Sequence, residues 1–175
     1  MVDVTKVYVY TSACVVFYAS SDLSRLGGLC HEQIHSTHSW FGGPPHRDCV
    51  FVGNTDPPDM LGMRGLLIAH VLLFFSFDHK DTRYPCALVH WFSHIADEPC
   101  NETDIWIVEP DFQGGKPFLE VIHLDTILHG VHLIGVSGTH FLPSDLDFTF
   151  DKSLDIFPSF YVNKYVDHNA HEITF

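Results

Sequence analysis

The sequence predicts a mainly β (α+β) fold, a small barrel-like antiparallel sheet with a C-terminal helix. Three observations carry this. Short runs dense in β-branched and aromatic residues recur along the chain, breaks rich in Gly, Pro and Asp separate them, and only the tail spaces its apolar residues three or four apart. Strands at such spacing, with turn signals between, are how a small barrel or sandwich reads in sequence. At 175 residues, 46% apolar and 14% aromatic, the chain can bury a full core and has the length of one domain. We expect a single β-rich domain over 1–175, with N-terminal strands and loops at 1–78, central antiparallel strands at 79–136 and a helical tail at 153–168.

Each element follows from local chemistry. Val7 to Tyr10 and then Cys14 to Tyr18 read as a strand or a bent pair of strands, closed by Ser20, Asp22 and Gly27-Gly28. Cys30 to His38 is polar with little periodicity, enough for one helical turn, and Gly42-Gly43-Pro44-Pro45 forces a loop. Cys49 to Val52 is a short strand, and Asp56-Pro57-Pro58-Asp59 a surface turn, because consecutive prolines cannot donate to a ladder. Leu66 to Phe77 reads as a long central strand, and a polar turn at Asp78 to Thr82 joins it to Tyr84 to Phe92 as an antiparallel hairpin. Ile105 to Val108 and Phe118 to Leu124 read as the next pair, joined through Glu109-Pro110-Asp111 and Gly114-Gly115. In the tail, Leu154, Phe157, Tyr161 and Tyr165 would share a helical face; Pro158 lacks the amide a helix interior needs, so the regular helix starts at or after it.

Nine Lys and Arg against 22 Asp and Glu give a net charge of −13, so the field repels nucleic acid. The close basic pairs, His46 with Arg47 and Lys80 with Arg83, are offset by Asp48 and Asp81. A basic protein segment is the better partner. Protonating all 14 histidines would bring −13 to +1, so the acidic surface fades in acid. Five widely spaced cysteines, Cys14, Cys30, Cys49, Cys86 and Cys100, indicate neither a disulfide framework nor a zinc ribbon, and reduced thiols fit a soluble intracellular protein, nuclear or cytoplasmic. Val7 to Ala19 is interrupted by Tyr8, Tyr10, Thr11 and Ser12, a poor secretory signal; the sequon Asn101-Glu102-Thr103 matters only after secretion. The most apolar run, Leu66 to Phe77, contains His70 and Ser76 and is too short to span a membrane.

Among chemical motifs, His123-Leu124-Asp125 stands out, because a His-x-Asp pair at a strand end plus a distant His is how a facial triad holds iron with open positions. His129, His132, His140 and His168 could each supply the third ligand. The plain alternative is a strand-end His followed by Asp125 capping a short turn. Cys86, His90 and His94 recur every four residues, and as two or three ligands they do not make a closed zinc site; a packed Cys and a strand His is the preferred account of them. Cys30-His31 with His35 and His38 is a looser cluster suited to adventitious metal uptake. No Ser or Cys sits in a nucleophile elbow, and neither Gly pair has the flanks of a phosphate loop, so no catalytic residue is assigned. Tyr84, Trp91, Phe92 and Trp106, near Asp97, Glu98 and Glu109, could form an aromatic and acidic groove for a cationic side chain, or could simply fill the core. From that set, Tyr84, Trp91, Trp106 and Glu109 are the candidate partner-binding residues.

The runs Arg83-Tyr84-Pro85-Cys86-Ala87-Leu88-Val89-His90-Trp91-Phe92 and Ile105-Trp106-Ile107-Val108-Glu109-Pro110-Asp111-Phe112 resemble the C-terminal region of Plavaka-type transposon proteins of mushroom-forming (basidiomycete) fungi, relatives of the CACTA-like DNA transposons. Val121-Ile122-His123-Leu124-Asp125-Thr126-Ile127, His132-Leu133-Ile134 and Phe160-Tyr161-Val162-Asn163-Lys164-Tyr165-Val166-Asp167-His168 extend the likeness over most of 19–175. The resemblance implies a fragment that follows a larger body holding the acidic core for DNA cleavage, and it assigns no catalytic residue here. Pro158 departs from the family pattern, which continues a helix there. The expected function is a non-catalytic accessory or interaction domain of transposon origin, binding basic protein partners and needing no cofactor. The alternative is a metal-dependent enzyme of cupin-like build, with a mononuclear iron on His123, Asp125 and a distal histidine.

Overall fold

The computed structural model describes residues 6–18, 28–53, 62–138 and 149–166, and in them the fold is mainly β, a nearly closed antiparallel barrel with one short helix. Its spine is the expected hairpin of β6 (Leu66–His79) and β7 (Thr82–His94). Lys80 and Asp81 join them with φ of 48° and 63°, the primed turn whose twist matches the strands it connects. Both strands are too long for a single neighbour, so each outer edge takes two. Along β6 lie β5 (Cys49–Gly53) and, further on, β1 (Val7–Tyr10); along β7 lie β8 (Ile107–Pro110) and β11 (Leu119–His123).

Closure comes from one stretch of chain. β12 (Ile127–Val131) pairs with β5 at one end of the sheet, and β13 (Leu133–Gly135) pairs with β14 (Phe160–Val162), which pairs with β8 at the other. Only His132 separates β12 from β13, so the same stretch bridges both sheet edges and leaves few ladder groups unpaired. A second sheet of β2 (Ser12–Tyr18), β3 (Leu29–Thr37) and β4 (His46–Arg47) packs across the barrel, and β9 (Phe112–Gln113) with β10 (Lys116–Pro117) forms a small hairpin turned by Gly114 and Gly115 at φ 59° and 76°.

Two cores result. Phe51, Met63, Leu66, Ile68, Phe92, Val108, Phe160 and Val162 fill one. Val15, Ile34, Val50, Val52, Ala69, Val71, Phe74, Ala87, Val89, Trp91 and Ile127 fill the other, with side chains from both the small sheet and the barrel strands. β5 is buried on both faces, which is why Cys49 to Val52 is continuously apolar rather than alternating. On β6 the register shifts between Val71 and Leu73. The extra residue reverses the pleat, so Phe74 joins Ala69 and Val71 in one core although its offset from each of them along the chain is odd.

Three sequence expectations change, and one open alternative, a single strand or a pair at Val7 to Tyr18, resolves to the pair. Cys30 to His38 is strand β3 rather than a helical turn; its inward positions hold polar Glu32 and Ser36, which hides the period of two. Those groups are satisfied, since Glu32 Oε2 accepts from Gly130 N at 2.8 Å and Ser36 Oγ donates to Val71 O at 3.2 Å. Val7 to Tyr18 divides at Thr11 into strands of different sheets, because the Thr11 carbonyl accepts from Ser36 N. β8 and β11 do not pair with each other; each finds β7, whose edge is long enough for both, and Gly114-Gly115 turns the separate β9–β10 hairpin. The helix covers Ser153–Ile156 and ends before Pro158 instead of starting there. Beyond Pro158, Phe160 and Val162 alternate into the barrel core while Tyr161 does not, so the tail continues as β14. The proline turn at 56–59, and 167–168 of the expected helical tail, lie outside the described residues.

Candidate functional site

A concavity of about 840 Å³ opens where β6, β7 and β8 pass beneath the short helix. Cross-strand pairing sets His70 opposite His90 on its floor. Desolvation, then the Arg47 guanidinium and the His90 ring, push the His70 imidazole down to about 4, so it is neutral at ordinary pH. His90 Nε2 lies 2.9 Å from the Asp111 carbonyl and donates to it, which fixes the turn after β8. Ser93 Oγ donates to the Asp111 carboxylate at 3.2 Å. Glu109, Asp111 and Asp155 bring three carboxylates to the lining, Phe92, Phe112 and Phe157 make the walls aromatic, and none of the described lining residues is Lys or Arg.

A second group lies on the small sheet. β3 and β4 pair Thr37 with His46 and Ser36 with Arg47, and Asp48 N donates to His35 O at 2.9 Å, so the pleat sets His35, His46 and Asp48 on one face. His35 Nδ1 is 3.3 Å from Asp48 Oδ2 and His46 Nε2 is 3.0 Å from Asp48 Oδ1. His35 N donates to Asp48 Oδ2 at 2.7 Å and fixes the carboxylate. Trp40 stacks on His46 and meets His35 edge-on. Strand β6 helps to position the group, because Val71 N donates to Asp48 O and carries the β5–β6 register one step past Cys49.

His123 and Asp125 are close, with His123 Nδ1 3.4 Å from Asp125 Oδ2, and both are exposed. His123 caps the 3-10 turn Leu124–Thr126, its Nδ1 accepting from Asp125 N. Among the described residues no third ligating atom joins them. His129 is buried against Phe17 with Nδ1 2.6 Å from Gly130 O, and His132 is beside Asn163. His140 and His168 lie outside the described residues. Cys86, His90 and His94 share one face of β7 at steps of ~13 Å, too far apart for one ion. His94 packs on Trp106, and burial lowers its imidazole and raises the Cys86 thiol. Strand geometry also parts His31 from His35, leaving His35 to the group with His46 and Asp48.

Of the aromatic and acidic set, only Phe92 and Glu109 reach the cleft. Trp91 is buried, its Nε1 donating to Glu120; Trp106 packs against the barrel core; Tyr84 stacks on Phe77 near the hairpin turn. The sequence reading missed Asp111, Asp155, His70 and the His46-x-Asp48 pair. That last pair repeats the spacing singled out at His123 and Asp125, and this was its available signal. All five cysteines are free thiols. Among the described residues no helix is long and apolar enough to cross a membrane. No family model, curated protein or solved structure matches the chain.

Proposed function

We propose that this chain is a non-catalytic interaction domain, of the kind that the C-terminal region of a Plavaka-type transposon protein would supply, and that it takes a basic protein segment in the cleft beneath the short helix. One observation carries the reading: a cleft of about 840 Å³ combines the carboxylates of Glu109, Asp111 and Asp155 with aromatic walls and has no described cationic lining residue. A Lys or Arg side chain meets both needs, laying its alkyl stem on Phe92, Phe112 or Phe157 and its charged head among the carboxylates. The net charge of −13 adds long-range attraction for the same partner and repulsion for nucleic acid.

The test is titration of a Lys/Arg-rich peptide such as a histone-tail sequence, followed by fluorescence anisotropy. Binding at low salt should weaken as salt rises. A Glu109→Gln, Asp155→Asn double variant should weaken it at least ~5-fold, in the range of one or two rim charges. Absence of binding at low salt, or equal binding by the double variant, refutes the reading.

A further inference from the structure

We propose that His35, His46 and Asp48 form a binding site for one divalent first-row transition-metal ion, of the Zn²⁺ or Fe²⁺ class, separate from the peptide cleft. The three ligating atoms lie within 4.8 Å of one another. Each imidazole nitrogen already sits 3.0 or 3.3 Å from a different oxygen of the same carboxylate. Ligands bound at ~2.0–2.2 Å around a tetrahedral or octahedral ion are themselves ~3–3.5 Å apart, so small rotations of three side chains would close the shell.

Backbone geometry supports the placement independently of those rotations. The β3–β4 register and the Asp48 N to His35 O hydrogen bond put all three residues on one face, and Val71 N of β6 donates to Asp48 O at 3.0 Å and holds its backbone. The His35 amide holds the carboxylate, while Trp40 limits how far either ring can swing. Such outer contacts are what orient ligands in protein metal sites. Two imidazoles and one carboxylate suit a borderline ion rather than Ca²⁺ or Mg²⁺, which prefer all-oxygen shells. The three side chains remain 24%, 34% and 28% exposed, so the remaining coordination positions face solvent. Within the fold the ion would clamp β4 and the 38–45 loop to β3.

The experiment uses the whole chain without a histidine tag, stripped with chelator and titrated with ZnCl₂ by calorimetry, with Co²⁺ absorption and anaerobic Fe²⁺ as parallel arms. Wild type should bind one equivalent tightly. Asp48→Asn and His46→Gln should each lose at least ~10-fold in affinity, while His123→Gln should bind as wild type does. Binding without one-to-one saturation, or binding unchanged in Asp48→Asn, overturns the site. Should a variant fail to fold, histidine ring signals decide in the wild-type protein: Zn²⁺ must shift those of His35 and His46, and a shift at other histidines alone refutes the proposal.

Discussion

At the scale of single residues, His70 shows how burial converts a common side chain into a source of acid sensitivity. An unfolded histidine titrates near ~6.5, whereas His70 in the fold titrates at about 4, chiefly through desolvation. Between those values the unfolded chain holds the extra proton, so stability rises with pH there. The contribution is complete above ~6.5 and is lost as pH falls toward 4. At ~1.4 kcal/mol per unit it reaches at most about 3.5 kcal/mol. Urea unfolding near pH ~7 and pH ~5 should show wild type losing more stability on acidification than His70→Gln. Parallel losses in the two proteins would sink the assignment. This histidine was legible in sequence only as an interruption of an apolar run, because its partners Arg47 and His90 come from other strands.

At the scale of elements, the contact between β13 and the segment after the short helix is the one most sensitive to added bulk. A Cβ on Gly135 would run into the Phe157 ring, which cannot swing aside as a flexible chain end would. Gly135→Ala should therefore cost about 2 kcal/mol as overpacking. Gly53→Ala, whose Cβ would meet Leu128 at an ordinary 3.6 Å, should change stability by less than ~1 kcal/mol. Urea midpoints of the two variants measure the difference, and equal midpoints would mean that Phe157 does not seal β13. Element types were largely readable where one composition covered a whole strand, as in β6 and β7. They were misread where inward positions were polar, as at Glu32 and Ser36, or where two interpretations shared a spacing, as from Leu154 to Tyr165. There the tertiary partner chose: Phe160 and Val162 enter the barrel core because β8 and β13 offer them ladders.

For the whole molecule, the acidic balance should govern solution behaviour. Solubility should pass through a minimum near the sequence pI of about 5.3, where net charge vanishes. The fold shifts this further: His70 and His94 hold protons less readily than free histidine, and Arg83 holds the Asp78 carboxyl below its usual range. All three changes make the native molecule more negative in mild acid. Native isoelectric focusing should thus place the pI below the value found in urea; a native pI equal to or above it would contradict the shifts.

Composition and patterning by themselves determined the β class, the central hairpin and the acidic field, because these depend on residue types added along the chain. Spatial coincidence decided the rest. His123-x-Asp125 and His46-x-Asp48 are the same motif in sequence, and among the described residues only the second has a third potential ligating side chain beside it, His35, which β3 brings by pairing with β4. The cleft likewise gathers Glu109, Asp111 and Asp155 from segments more than forty residues apart. Register and barrel closure are long-range properties of the folded chain. A local spacing rule cannot contain them.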